Sequence, residues 1–358
     1  MGNDPSEYSI PTTTISKMVR AINSSWNICE HTSAKGGYLP VQLLRLDTPT
    51  GTKSAVLKAS ADGDRHGIDT EARILRLLGA HSSIPVPDVY GVVDEHIQLT
   101  APFFLMEYVP GTTIERTELH AVSQERLQKI ARVSGRYIAE LHRLDAFESY
   151  GFLKRNPEMT LRGERPPATF DQIVVTDPTT SWQAQIRTWK EGTLAGVRDS
   201  RFADLVPKIE PVLDEQIDQL EGSFEPVLGH IDNSIENVRH DPDTGEITAL
   251  LDWAFSLSVT SGYDLVLIEE SLNGGQWRLL PESPDYTETI RPALLDGYCE
   301  IRSESVRDEL ERHRELYELL SLARSMNNLS LWLGFQDAAP EQIDAAAQTV
   351  RQSAGTYL

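Results

Sequence analysis

Three residues in the middle of the chain, His230, Asp232 and Asn237, stand at a spacing that could do chemistry. They fall in LGHIDNSIENVRHDPDTGEITALLDW, residues 228–253, which ends on Asp252 and Trp253. Between Asn237 and Asp252 the turn formers Asp241-Pro242 and Thr244-Gly245 divide two short apolar stretches, the pattern of a hairpin. Folding it about Asp243 and Thr244 sets residue 237 opposite about residue 250. Asn237 and Asp252 then finish side by side at the open end, with Asp232 a few residues earlier in the same loop. Such an oxygen-rich group suits Mg²⁺, a hard cation. Asp232 is placed to take a proton from an attacking hydroxyl.

Two further residues upstream fit the same chemistry. Transfer of a γ-phosphoryl group needs a metal, a cation on the phosphates and a carboxylate that orients the nucleophile. The strand SAVLK ends on Lys58, and Glu71 follows 13 residues later in the helical pattern TEARILRLL. A strand lysine fixed by a helix glutamate grips the α- and β-phosphates. Each residue also has a plainer reading. Asp232 reads as a solvated turn, Asn237 as a hairpin cap and Asp252 as a strand end. Lys58 reads as a surface lysine, and Glu71 as a helix-start acid favoured by the dipole. The five in one linear order meet five mechanical needs of a single reaction. His230 reads as a residue that holds the loop.

The elements that must position these residues follow from the apolar pattern. Thr12–Ile22 reads as a helix, 41–46 and 54–58 as strands joined by DTPTGTK, and 70–78 as a helix. The run FFLMEYV, 103–109, reads as a strand closed by Pro110-Gly111, with Glu107, Tyr108 and Val109 offering backbone groups to an adenine. Residues 123–144 carry Leu127, Ile130, Ala131, Ser134, Ile138 and Leu141 on one face, the spacing of an amphipathic helix. The Pro- and Thr-rich stretch 156–180 reads as a loop. Helices are expected over 181–221, a short β segment over 226–252, and helices again to the end, one of them long, from Ser305 to about Trp332. This describes an α+β chain: a small β-rich lobe over 1–108 that holds a nucleotide, and a larger helical lobe over 109–358 with the catalytic loop and substrate site.

HIDNSIEN followed by LLDW resembles the aminoglycoside phosphotransferase and choline kinase superfamily. Its members carry His-Gly-Asp-x-x-x-x-Asn and then an apolar strand ending in Asp-Trp or similar. Leu141-His142 at the end of a long helix and the Asp264-Leu265 of GYDL are also similar to that family, in which the Asp buttresses the catalytic loop. The resemblance implies a bilobal protein-kinase-like fold, ATP and Mg²⁺ as cofactors, and a small-molecule hydroxyl as acceptor. Asp232 would be the catalytic base, Asn237 and Asp252 the metal ligands, and Lys58, Glu71, Glu107, Val109, Gly36 and Gly37 the nucleotide contacts. The chain departs from the pattern at Ile231, where the family has Gly, at Ser234, at Ala254, and in a phosphate loop reduced to Gly36-Gly37. Ile231 and the reduced Gly loop favour a rival reading, a catalytically silent nucleotide-binding pseudokinase or scaffold of the same fold, and the complete five-residue set opposes it. The short stretch between Asp252 and Asp264 leaves no room for the activation segment of a protein kinase.

Composition narrows the partners. In 358 residues, 54 Asp plus Glu oppose 33 Lys plus Arg, a formal net charge of −21. Such a chain is a poor match for nucleic acid or an anionic membrane. Its charge repels itself in dilute buffer and is screened at high salt, which reads as a halophilic cytoplasm or, more plainly, as an ordinary acidic mesophilic enzyme. Glu269 and Glu270 read either as a lure for a cationic substrate or as a solvated face. Cys29 and Cys299 fit no metal-ligand spacing and are expected to be buried thiols. No apolar run reaches the ~20 residues of a membrane span, the start has no secretory pattern, and Met-Gly-x-x-x-Ser at Gly2 reads as a chance match to a lipidation motif. A cytoplasmic location is therefore expected.

Overall fold

The computed structural model describes residues 10–34, 40–60, 62–64, 66–144, 146–232, 234–334 and 337–358. Gly36 and Gly37 lie outside the described residues. In chain order the first elements are α1 (Thr12–Ile22), β1 (Asn27–Ser33), β2 (Val41–Thr48), β3 (Gly51–Ala59), α2 (Ile68–His81), β4 (Val89–Val93) and β5 (Phe103–Glu107). Then come α3 (Gln124–Leu141), β6 (Tyr150–Arg155), β7 (Arg162–Glu164), β8 (Ile173–Thr179), α4 (Trp182–Arg198) and α5 (Val206–Asp218). The chain closes with β9 (Val227–Gly229), β10 (Val238–His240), β11 (Ile247–Leu250), β12 (Leu257–Val259), α6 (Ser261–Leu272), α7 (Thr287–Cys299), α8 (Ser305–Gly334) and α9 (Pro340–Gly355). These elements form two compact units, each built from three segments.

The first unit comprises Met1–Thr112, Leu153–Thr176 and Arg239–Ser256. Among the described residues its sheet has six antiparallel strands in the order β1-β2-β3-β5-β4-β7. Alternation along the strands fixes what each face carries. Ala55, Leu57 and Ala59 of β3, with Phe103 and Leu105 of β5, join Ile15, Met18, Val19 and Ile22 of α1 in one core. The intervening residues of β3, Val56 and Lys58, therefore point to the opposite face. Sequence marked β3 and β5 well because both are covered on two sides and read as apolar runs.

The stretch 156–180 is not the loop expected of it. It includes β7, which adds to the sheet edge at β4, and β8. A buried ion network ties this stretch to the sheet and α2. Arg73 of α2 is fully buried and grips Asp94 through Nη1 (3.0 Å) and Nη2 (2.8 Å), while Nη2 also donates to the Met159 carbonyl (2.7 Å). The Leu161 N–H donates to Asp94 (2.6 Å), and Arg155 lies 3.3 Å from Asp69 and 3.5 Å from Asp94. A buried guanidinium in such a place needs every partner it has, because an unpaired buried charge costs several kcal/mol.

The second unit comprises Thr113–Phe152, Asp177–Val238 and Leu257–Leu358 and is mainly helical. Its helix starts are legible locally. Ser123, Ser181 and Thr260 cap α3, α4 and α6, each side chain accepting a backbone N–H of the first turn, the usual N-cap bond. Trp182, Tyr263 and Tyr317 pack edge to face inside the unit. In this unit β12 pairs with β9 and β6. The two cysteines are free, but Cys29 is exposed and Cys299 half-buried, not the buried thiols expected. Cys29 falls on the sheet's edge strand β1, whose residues are mostly exposed.

Candidate active site

In the first unit the structure brings three of the expected residues together. The Lys58 Nζ donates to both carboxylate oxygens of Glu71, at 2.7 and 3.0 Å. It also lies 3.7 Å from Asp252. The pairing follows from two periodicities: β3 turns Lys58 away from the α1 core, and Glu71 falls on the first turn of α2. Burial works against the charge on Lys58, but Asp252 and Glu71 outweigh it and hold the ammonium above the ordinary lysine range. The Lys58 side chain is 12% exposed and that of Asp252 is 42% exposed, so the lysine is a fixed cation and the aspartate an accessible carboxylate.

Glu71 does a second job that the sequence did not announce. Its Oε1 accepts the Trp253 backbone N–H at 3.4 Å, so one carboxylate fixes both Lys58 and the residue after Asp252. Gly67, which precedes α2, sits at φ 75, and a Cβ there would meet the Ala254 carbonyl oxygen at 2.2 Å. The α2 start and the Asp252–Ala254 backbone therefore approach more closely than any side chain permits. A glycine four residues ahead of Glu71 was the available signal. Asp252 itself has φ 61, a left-handed backbone that aspartate tolerates better than most residues. The hairpin that delivers it is as read: β10 pairs with β11 and closes through Asp241 N–H to the Glu246 carbonyl (2.8 Å).

Glu107 ends β5, where its N–H donates to the Asp88 carbonyl (2.8 Å), and the Tyr108 N–H donates to Ser54 (3.3 Å). Those two donors belong to the protein.

In the second unit, Asp232 and Asn237 share one loop. Asn237 Nδ2 donates to the Asp232 carbonyl at 3.1 Å. The Asp232 N–H donates back to the His230 carbonyl at 2.7 Å, across Ile231 at φ 54. This is a γ-turn of the strained, positive-φ kind, and a β-branched residue is an uncommon occupant. Among the described residues of the loop, the departure Ile231 thus falls at the position whose backbone favours the family's Gly.

What holds the turn is Asp264, fully buried at the start of α6. Its carboxyl accepts the Ile231 N–H (2.8 Å) and the His230 N–H (3.3 Å), and lies 2.9 Å from His142 Nε2. The other ring nitrogen of His142 is 3.0 Å from the Tyr298 hydroxyl. Burial holds His142 below the ordinary histidine range, outweighing its bond to Asp264. As a neutral ring it donates to Asp264 from Nε2 and accepts from Tyr298 at Nδ1. Burial likewise pushes the Tyr298 hydroxyl up to about 12. Leu141-His142 and GYDL gave this pair in sequence; Tyr298 had no such marker.

The model of the phosphotransferase enzyme family (APH) matches residues 31–316. The chain belongs to that family. Solved phosphotransferases share its kinase-like fold. The apo form of a thermostable mutant of aminoglycoside phosphotransferase APH(4)-Ia is 17% identical, with a TM-score of 0.58 over 95% of this chain and 99% of the other. The same enzyme with an N203A change, in a ternary complex with AMP-PNP and hygromycin B, is 16% identical, with a TM-score of 0.57 over 96% and 100%. The GDP complex of aminoglycoside 2'-phosphotransferase-IIIa is 13% identical, with a TM-score of 0.60 over 98% and 100%. Among curated proteins, the probable acyl-CoA dehydrogenase IBR3 of Arabidopsis thaliana is 25% identical over 233 residues, 61% of this chain and 25% of that protein. Acyl-CoA dehydrogenase family member 10 of Mus musculus is 24% identical over 234 residues, 61% of this chain and 19% of that protein. The chain thus spans a quarter or less of the curated relatives it matches. Among the described residues no helix is long and apolar enough to cross a membrane.

Proposed function

We propose that this phosphotransferase family member moves the γ-phosphoryl group of Mg-ATP to a hydroxyl of a small molecule. Asp232 orients the acceptor hydroxyl and takes its proton. Asn237 and Asp252 are the Mg²⁺ ligands. Lys58, set by Glu71, holds phosphate oxygens, and the Glu107 carbonyl and Val109 backbone receive the base. Gly36 and Gly37 are assigned to the phosphate loop from sequence alone. When bound, the metal neutralises charge that builds on the transferred group. The observation that carries the proposal is the pair of bonds from Lys58 to Glu71 beside the accessible carboxylate of Asp252. A fixed cation next to a hard oxygen ligand suits a metal-bound polyphosphate. The nucleotides held by solved members of the fold, AMP-PNP in one and GDP in another, support a nucleotide donor of either base.

A rival reading, a silent nucleotide-binding module, draws support from the strained Ile231 turn just before Asp232. One experiment separates the two: turnover of Mg-ATP and Mg-GTP with a panel of hydroxyl-bearing metabolites, run at low salt and in high KCl, for the wild type and Asp232→Asn. General-base assistance contributes ~10²–10⁴-fold. We expect Asp232→Asn to lower kcat by about that factor with nucleotide affinity intact. Full activity in the variant removes Asp232 as the base. Nucleotide binding without turnover of any acceptor favours the silent module.

A further inference from the structure

Beyond Asp264, the next turns of α6 bring Glu269 and Glu270 to a cavity of about 230 Å³ inside the second unit. Neither is the solvated acid or free cation lure that sequence offered. Glu269 is 6% exposed and accepts from Arg291 Nε (2.9 Å) and from Arg314 Nη1 (2.9 Å). Glu270 pairs with Arg278 Nη2 at 2.8 Å and accepts from the Ser321 hydroxyl. Glu318 accepts from Arg291 Nη2 (3.0 Å) and from the Tyr357 hydroxyl (3.2 Å). The three carboxylates are thus matched by three guanidiniums, and a polycation would have to displace arginines from buried partners to bind here.

The arrangement is layered. Arg291 is 35% exposed against 6% for Glu269, and Arg278 27% against 17% for Glu270. In these two pairs the guanidinium is the more accessible partner and the carboxylate holds it from behind, whereas Glu318 is more exposed than Arg314, 23% against 15%. A guanidinium carries five N–H donors. These pairs use Nη2 of Arg278 and Nε and Nη2 of Arg291, which leaves Nη1 of Arg291 and Nε and Nη1 of Arg278 outside them. Donors held in a fixed fork are what carboxylates and phosphates are bound by.

We infer that this cavity is a binding site for a small molecule bearing a carboxylate or phosphate group, gripped by Arg278 and Arg291. Its volume lies below the ~300–1,000 Å³ of drug-sized sites, which fits a compact metabolite better than a multi-ring antibiotic. Outside the lining, Arg116 pairs with Glu236, the neighbour of Asn237, at 2.8 Å, and a Cβ added at Gly275, three residues before Arg278, would lie 3.8 Å from the Arg116 guanidinium. The site does not rest on the proposed kinase activity.

The test is calorimetric titration of the full chain, without nucleotide, with glycerate, inorganic phosphate, glycerol and kanamycin. Glycerate or phosphate should bind with Kd near or below ~1 mM, and Arg278→Gln should raise that Kd at least ~10-fold. Tighter binding of glycerate assigns a carboxylate ligand; tighter binding of phosphate assigns a phosphate. Glu270→Gln, which frees Arg278 from its partner, should leave the anion affinity unchanged or tighten it. The Glu270→Gln/Arg278→Gln double variant keeps a hydrogen-bonding pair without charge, so it should fold and lose the anion. Failure of both anions to bind overturns the inference, as does an affinity that ignores Arg278→Gln. Tighter binding of kanamycin that Glu270→Gln weakens would also overturn it.

Discussion

Removing the Asp264 carboxyl should release the loop that carries Asp232. Asp264→Ala takes one acceptor group away from three donors, the half-buried Ile231 N–H at 2.8 Å and the buried His142 Nε2 at 2.9 Å and His230 N–H at 3.3 Å. A buried donor left unmet costs ~1–3 kcal/mol. Counting only the two shorter bonds, the local cost is ~2–6 kcal/mol. Asp264→Asn should be milder. Its amide oxygen still serves Ile231, and His142 can shift its proton to Nδ1, accept from the amide and donate to Tyr298. One weak bond is then lost, for ~1–3 kcal/mol. The assay is hydrogen exchange at the amides of His230, Ile231 and Asp232, which reads local opening directly. Two units need not unfold in one step, so a single denaturation curve would be a poorer measure. A cost of 2 kcal/mol or more lowers protection at least ~30-fold in the Ala variant, with the Asn variant between it and wild type. If Asp264→Ala leaves these amides exchanging within about threefold of wild type, the carboxyl does not hold the turn and the reasoning fails.

Three more expectations follow from the same geometry. Folding depresses the His142 pKa, so as pH falls the unfolded chain takes up that proton first. The stability it contributes is complete above about pH 6.5 and is lost as pH drops from there through the lower folded value, by at most ~1.4 kcal/mol per pH unit; urea midpoints across that window should fall more steeply for wild type than for His142→Gln, and equal slopes would exonerate His142. Gly67→Ala meets both a left-handed backbone, worth ~1–2 kcal/mol, and the Ala254 oxygen at 2.2 Å; urea unfolding should show a loss of ~3 kcal/mol or more, and a neutral result would mean that α2 can back away from the Asp252 segment at no cost. Lys58→Met should weaken Mg-ATP binding by ~1.5–3 kcal/mol, the worth of a hydrogen bond to a charged group, and calorimetry with unchanged affinity would remove Lys58 from the phosphate site.

What sequence made legible was local. Lys58 and Glu71 could be paired because a period of two and a period of 3.6 each say which way a side chain points. The hairpin ending at Asp252 was legible from its turn chemistry. Asp264 and His142 were legible by resemblance. The rest depends on partners far along the chain. Arg73 on α2 looks like any polar helix residue, and nothing near it announces Asp94 or the Met159 carbonyl. β7 is three residues long, with Thr160 and Pro166 each two residues beyond its ends, too short to show alternation. Glu269 and Glu270 looked solvated because the arginines that bury them lie up to 45 residues downstream. Ile231 stood out only as a departure, and its positive φ gives that departure a physical meaning.

The return of residues 153–176 and 239–256 to the first unit has a consequence for biosynthesis. A ribosome that has finished residue 112 has delivered the lysine and the glutamate but not the strand that covers the sheet edge or the segment bearing Asp252. At ~5–20 residues per second, the wait until residue 256 is made is roughly 7–30 s. Until β7 is made, 52 residues and ~3–10 s after residue 112, β4 presents an open edge, the kind that recruits stray strands. The nascent lobe must be shielded or stay incompletely folded until its own late segments arrive. Truncation at residue 112 would make that transient state permanent.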